Sequence, residues 1–144
     1  MQGVILAAGK GSRLHPITLS RSKAMLPILG KPIVERVMEL LVANGVRDFI
    51  LVVSPEDRDI TRYFVRESTL EAEVRFVYQT ERLGMAKALE CAAPLISEDF
   101  VLSACDNLVT ADDVGRLMVS WHTEPHPNAL LTLMPVSREH ISST

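Results

Sequence analysis

The sequence predicts an α/β protein with a doubly wound, mostly parallel sheet carrying helices on both faces, a Rossmann-like arrangement. Three observations lead there. Apolar runs of strand length alternate with helix-length amphipathic segments along the whole chain. The runs are continuous rather than alternating, as strands buried on both faces are. The first run ends in a glycine turn, "LAAGKG". That order implies crossover connections, with ligands at the carboxyl ends of the strands.

Each element has a local reason. Val4–Ala8 reads as a buried strand. Pro32–Asn44 reads as a helix with proline in its first turn, an apolar stripe of Ile33, Val37, Leu40 and Leu41, and Gly45 as a left-handed stop. Asp48–Val53 is a second strand. Glu56–Glu67 follows as a helix, capped by Ser54 with Pro55 at its first position. Val74–Tyr78 is a third strand. Leu83–Ile96 is a helix with Met85, Leu89, Ala92, Ala93 and Ile96 facing inward. Phe100–Ala104 is a fourth strand, Thr110 caps a helix running to about His122, and Ala129–Pro135 is a fifth strand. His122–Asn128 is a proline-rich surface loop, and the polar tail "SREHISST" is expected to fray. There is no internal repeat, low-complexity tract or linker.

The totals narrow the function. A chain of 144 residues, 47% of them hydrophobic, makes one domain with a real core. The net charge of −3 gives no global basic field, which argues against sequence-independent binding to nucleic acid or a membrane surface. No segment approaches the roughly 20 apolar residues of a spanning helix, and no secretory leader is expected. Cys91 and Cys105 lack a CxxC spacing and read as reduced, buried thiols of a cytoplasmic protein. His15, His122, His126 and His140 have no ligand spacing, with His15 the nearest to a site. Trp121 and the methionines read as packing residues.

The glycine turn after the first strand is built for an anion. Ala7, Ala8, Gly9 and Gly11 let backbone N–H groups approach closely, and Arg13 offers a planar fork to phosphate oxygens. It is not a Walker A loop, which would need glycine at Val4 and a hydroxyl residue at Gly11. Nor is it the dinucleotide fingerprint, which would need a third glycine at Leu14. By itself it could equally be a plain strand-to-helix turn with incidental cations.

Four blocks taken together resemble one family. "LAAGKGSRLHPIT" is similar to L-A-A-G-x-G-[ST]-R-[LM]-x-P-[LT]-T, the opening of the sugar-phosphate nucleotidyltransferases. Lys23 then precedes "LPILGKPI", similar to the family's P-x-x-G-x-P. "YQTERLGMAKAL" and "SACDNLV" follow in order, at suitable spacings. The resemblance runs from residue 2 to about 135. It implies transfer of a nucleotidyl group from a nucleoside triphosphate to a sugar 1-phosphate, releasing pyrophosphate.

On that resemblance Arg13 and Lys23 are the catalytic cations, for the pyrophosphate and the α-phosphate respectively. Leu6, Ala7, Ala8, Gly9, Gly11, Ser12 and Arg13 form the nucleotide cradle. Gln79 and Gly84 meet the base, and Asp106 holds Mg²⁺. Lys10 and Lys31 are further cations that could lie nearby, while Asp112 and Asp113 suit a helix N-terminus. The chain departs from the pattern at Ser22 (usually proline), Met85 (usually small) and Cys105 (usually glycine), whose side chain is expected to crowd the nucleotide. The family's sugar-binding half, with a Glu-Lys-Pro segment and a second metal aspartate, has no counterpart before "SREHISST". Residues 1–144 are therefore expected to be one truncated nucleotidyltransferase domain, with self-association plausible. The competing expectations are a non-catalytic nucleotide-binding or regulatory module of the same fold, and an unrelated doubly wound phosphate binder.

Overall fold

The computed structural model describes residues 1–9, 11, 14, 16–19, 21–81, 83–125 and 127–133. Four parallel strands form the sheet: β1 (Gln2–Leu6), β4 (Asp48–Val53), β5 (Glu73–Tyr78) and β6 (Phe100–Ala104), in the order β5-β4-β1-β6. Between β1 and β4 lie two short antiparallel strands, β2 (Pro27–Ile28) and β3 (Lys31–Pro32), and helix α1 (Ile33–Ala43). Helices α2 (Arg58–Arg66), α3 (Met85–Ala92) and α4 (Ala111–Trp121) follow β4, β5 and β6.

The period-2 alternation of the central strands assigns the two faces. Ile5, Ala7, Phe49, Leu51 and Val53 point into a core with Val34, Val37, Met38 and Leu41 of α1, Ile60 of α2 and Val114 of α4. Val4, Leu6, Ile50 and Val52 point the other way, against Ala88 and Ala92 of α3, with Leu89, Leu95 and Ile96 alongside. Every residue of β1 is buried. The doubly wound architecture expected from the sequence is therefore present. Its strand order reverses direction beside β1, because the chain builds outward through β4 and β5 and then returns to place β6 on the far side.

Polar contacts fix the amino ends of the strands. Gln2 is wholly buried. Its Nε2 donates to Asp48 Oδ2 at 2.8 Å and to the Leu95 carbonyl at 3.3 Å, and its Oε1 accepts from the Ser97 N–H at 2.8 Å. Arg75 on β5 donates to both oxygens of Asp48, at 2.8 and 2.6 Å. A second polar knot surrounds Glu35 on α1, which is fully buried. Ser68 Oγ donates to it at 2.9 Å and Lys31 Nζ lies 3.0 Å away. Burial, with a hydrogen bond to Glu35, pushes the Tyr63 hydroxyl up to about 12.

Most expected elements recur within a residue or two, and the differences have physical causes. Pro32 pairs in β3 and precedes α1 instead of lying in its first turn. Ser54 opens a turn, with the Asp57 N–H donating to its carbonyl at 3.0 Å, so α2 begins only at Arg58. Pro94 has no N–H for an α-helical bond, so α3 ends at Ala92 and Ala93–Leu95 forms a single 3-10 turn. Met85 is 71% exposed and Ala93 is also exposed, so neither faces inward; Ala88 and Ala92 occupy that face. Thr110 caps α4 in a reciprocal capping box with Asp113.

The expected fifth strand is corrected. Ala129–Leu133 carries no strand, and Leu131 and Leu133 are more than four-fifths exposed. The apolar run there suits a buried strand, but such a strand also needs cover on both faces, and no described element supplies it. Met134 and Pro135 lie outside the described residues, as do His126 and the tail.

The Asp48 clamp yields a pH prediction. Burial would raise this carboxyl's pKa, but hydrogen bonds from Arg75 and Gln2 and the Arg75 charge outweigh it, leaving it below the usual value. The clamp's stabilisation is then complete above the unfolded carboxyl's pKa of about 3.9 and is lost as pH falls through the lower folded value. Asp48→Asn should cost about 1 kcal/mol at neutral pH, a figure already reduced for solvent screening of a partly exposed pair. Urea titrations at several pH values should show the gap between the two proteins shrinking below about pH 4.

Candidate functional site

The register of the sheet places the site. Leu6 pairs with both Val52 and Ala104, and Val53 pairs with Tyr78. The residues that continue past those pairs, Ala7 and Ala8, Ser54, Gln79 and Asp106, therefore form one row along the carboxyl edge. The reversal beside β1 opens a crevice at that edge.

The glycine loop leaves β1 through two buried alanines, and the Ala7 N–H still donates to the Val52 carbonyl at 2.7 Å. Gly11 is the tightest point. Its φ of +61° lies in the left-handed region, and its carbonyl accepts from the Leu14 N–H at 2.9 Å and from Thr18 Oγ1 at 2.8 Å. A β-carbon at Gly11 would meet Lys23 Cβ at 2.9 Å and Thr18 Cγ2 at 3.2 Å. The loop thus rests directly on the stem of Lys23. Lys10, Ser12, Arg13 and His15 lie outside the described residues.

Lys23 sits on a 3-10 turn, Lys23–Met25, whose next residue, Ala24, is fully buried in the core. The turn is braced from below by the β2–β3 hairpin. Arg36 of α1 donates to the carbonyls of Ile28 and Leu29, at 3.1 and 2.7 Å, and the Ile33 N–H donates to the Leu26 carbonyl. Ser22, where proline is usual in the family pattern, is followed by this turn without disruption. Lys31 points away from the crevice and pairs with Glu35 and Glu39.

Asp106 follows β6 in a turn closed by the Asn107 N–H on the Ala104 carbonyl at 3.2 Å. Its Oδ2 forms an ion pair with Lys23 Nζ. The two groups singled out in the sequence as cation and metal carboxylate, 83 residues apart, are thus in contact. Cys105 does not crowd the crevice: its side chain is buried in the core shared with α1 and α4. Burial, reinforced by the Asp106 charge and opposed by Lys23, pushes its thiol up to about 12.

At the other end of the row Gln79 is 4% exposed, and its Nε2 donates to the Gly84 carbonyl at 3.3 Å. Gly84, at φ +91°, starts α3. The two base-contact candidates therefore meet, with one Gln79 donor committed to shaping the loop. Three strand spacings, about 14 Å, separate the ends of β5 and β6, so a nucleotide laid along the edge could touch both.

Thr18, which closes the glycine loop, was not singled out from the sequence; a hydroxyl shortly after a glycine turn was the available signal. A cavity of about 540 Å³ lies apart from this row, between β6, α4 and residues 128–132, and none of the candidate residues lines it. Among the described residues no three His, Cys, Asp or Glu side chains gather as a metal cage. Asp106, a carboxylate about one-third exposed, fits magnesium, which keeps waters and takes substrate phosphates as ligands; alone it does not fit a metal that requires an all-protein cage.

A family model described as nucleotidyl transferase matches residues 2–143. The chain belongs to this family. Curated relatives of the chain include the bifunctional protein GlmU of Methanococcus maripaludis, 42% identical over 118 residues, covering 82% of this chain and 27% of that protein. A glucose-1-phosphate thymidylyltransferase of Mycolicibacterium smegmatis is 34% identical over 117 residues, covering 80% and 41%. The chain thus spans between about a quarter and two-fifths of the length of these relatives. Among solved structures, a UDP-glucose pyrophosphorylase from Acinetobacter baumannii shares the fold, with a TM-score of 0.75 at 23% identity over 85% of this chain and 53% of that one.

Two outcomes follow from this geometry. Native protein should release one thiol equivalent to a disulfide reagent, from the half-buried Cys91, and two once unfolded; two in the native state would place Cys105 outside the core. Gly11→Ala should lower stability by roughly 1–3 kcal/mol, through the left-handed backbone and the contact with Lys23, as read by thermal unfolding.

Proposed function

We propose that this chain supplies the nucleotide-binding part of a sugar-1-phosphate nucleotidyltransferase. The observation that carries the reading is the meeting of Lys23 and Asp106 beside the Gly11 loop, at the strand-order reversal. In the reaction an oxygen of the sugar 1-phosphate attacks the α-phosphorus of a nucleoside triphosphate. The new P–O bond forms as the bond to the β-phosphate breaks, and pyrophosphate leaves with that electron pair. Negative charge crowds together, so positioned cations are the main requirement.

In this reading Lys23 neutralises the α-phosphate and Arg13 the departing pyrophosphate. Backbone N–H groups between Leu6 and Arg13, including those of Ala8, Gly9 and Ser12, cradle the phosphates. Gln79 and the Gly84 backbone bound the base pocket. Magnesium bound through Asp106 and the phosphates would supply further charge neutralisation and hold them in line. The names of the relatives support a glucose 1-phosphate type of acceptor with a thymidylyl or uridylyl donor. Residues 1–144 then form a nucleotidyltransferase domain whose sugar-binding half lies outside them. Two free thiols suit a reducing cytoplasm, and no described helix is long and apolar enough to cross a membrane.

A second reading, a nucleotide-binding module without transfer, draws on the absence of a gathered metal cage among the described residues. One experiment separates the two. Calorimetric titration with five nucleoside triphosphates, with and without Mg²⁺, should find one preferred base and a magnesium-dependent gain. Asp106→Ala should remove that gain, and Arg13→Ala should weaken binding about 10- to 100-fold. Pyrophosphate release on adding a sugar 1-phosphate favours the transferase, and tight binding without release favours the module. Unchanged triphosphate affinity in both variants would overturn both.

A further inference from the structure

We propose that Lys23 serves as an internal counter-cation for Asp106, so that a divalent metal and the triphosphate each favour the other's entry into the crevice. The proposal rests on the nucleotide reading above and adds to it a coupling between the two ligands.

Each end of the Lys23–Asp106 pair is built on fixed backbone. Lys23 rises from a turn anchored by buried Ala24, with Gly11 packed against its stem. Asp106 is held by the turn that closes β6, and the Cys105 N–H donates to the Leu6 carbonyl at 3.1 Å. Lys23 reaches Asp106 through a long side chain with four rotatable bonds, which can re-aim its ammonium while the backbone stays in place. Lys23 is the cation placed on Asp106 by the described residues, and both side chains are about one-third exposed.

A compact ammonium seated on a carboxylate oxygen occupies the position a hard divalent ion would take, and it repels that ion. Asp106 can accept a metal only if the ammonium moves away. An ammonium leaving its carboxylate needs another anion, and the Gly11 loop, the phosphate cradle of the proposed function, packs against the lysine stem. A bound triphosphate supplies that anion, so each ligand lowers the cost of the other. By linkage the coupling is reciprocal. A single swinging lysine therefore keeps the carboxylate from trapping metal when no nucleotide is present.

The test uses Mn²⁺ as the metal, measured by electron paramagnetic resonance, without nucleotide. Lys23→Met should bind Mn²⁺ about tenfold more tightly than the wild type, within the usual range of coupling between sites. Lys23→Arg, which keeps the charge, should bind as weakly as the wild type, and adding Asp106→Asn to Lys23→Met should abolish the gain. A non-hydrolysable triphosphate should tighten Mn²⁺ binding more in the wild type than in Lys23→Met. In the wild type, Mn²⁺ together with the triphosphate analogue should change acetylation of Lys23 while leaving Lys87, paired with Glu90, unaffected. An unaltered Mn²⁺ affinity in Lys23→Met, an equal gain in Lys23→Arg, or a gain that survives Asp106→Asn would overturn the proposal. Because the first titration contains no nucleotide, it is independent of the nucleotide reading. A protein that binds no triphosphate yet shows the Lys23→Met gain refutes that reading and leaves the ion-pair exclusion standing. Triphosphate binding without the gain does the reverse.

Discussion

The structure depends on β1 being buried on both faces and paired on both edges. A strand in that position can carry no chemistry along its length, since each side chain is committed to one of two cores and its ladder groups to β4 or β6. Polar function is pushed to the strand ends. At the amino end that polarity becomes the Gln2–Asp48–Arg75 clamp. At the carboxyl end it gives way to the glycine loop, after the Ala7 N–H has made its bond to the Val52 carbonyl.

The crevice is organised by packing as much as by charge. Gly11 is left-handed and has no room for a β-carbon because Lys23 lies against it, while Lys23 is placed by the burial of its neighbour Ala24. Cys105 illustrates the same rule. Period-2 alternation along β6 turns its side chain into the core and leaves the next residue, Asp106, facing the crevice. Replacing the glycine of the family pattern by cysteine therefore fills core volume without obstructing the site.

The fold was largely legible because strand burial and helix amphipathicity are local signals. Asp48–Val53 and Phe100–Ala104 were read to the residue, and the Thr110 cap was read correctly. The errors fell where a neighbour decides. Ala129–Leu133 has the pattern of a strand without the cover, and Met85 has helical spacing but sits at an exposed first turn. Pro94 was visible, yet its effect on the end of α3 was underweighted. In the site, the family resemblance named the candidates, whereas their pairing was not legible. That Lys23 touches Asp106, or that Gln79 spends a donor on Gly84, depends on long-range register that no local pattern encodes.

The carboxyl edge also behaves as a molecular ruler. Gln79 and Gly84 belong to the β5–α3 unit, Lys23 and Gly11 to the segment after β1, and Asp106 to β6, with whole strands setting the intervals. On the proposed reading, base choice and phosphate handling fall to separate modules on a rigid scale. On that reading the loop between β5 and α3 can be rewritten without moving Lys23, Gly11 or Asp106, because these are anchored at other strand ends.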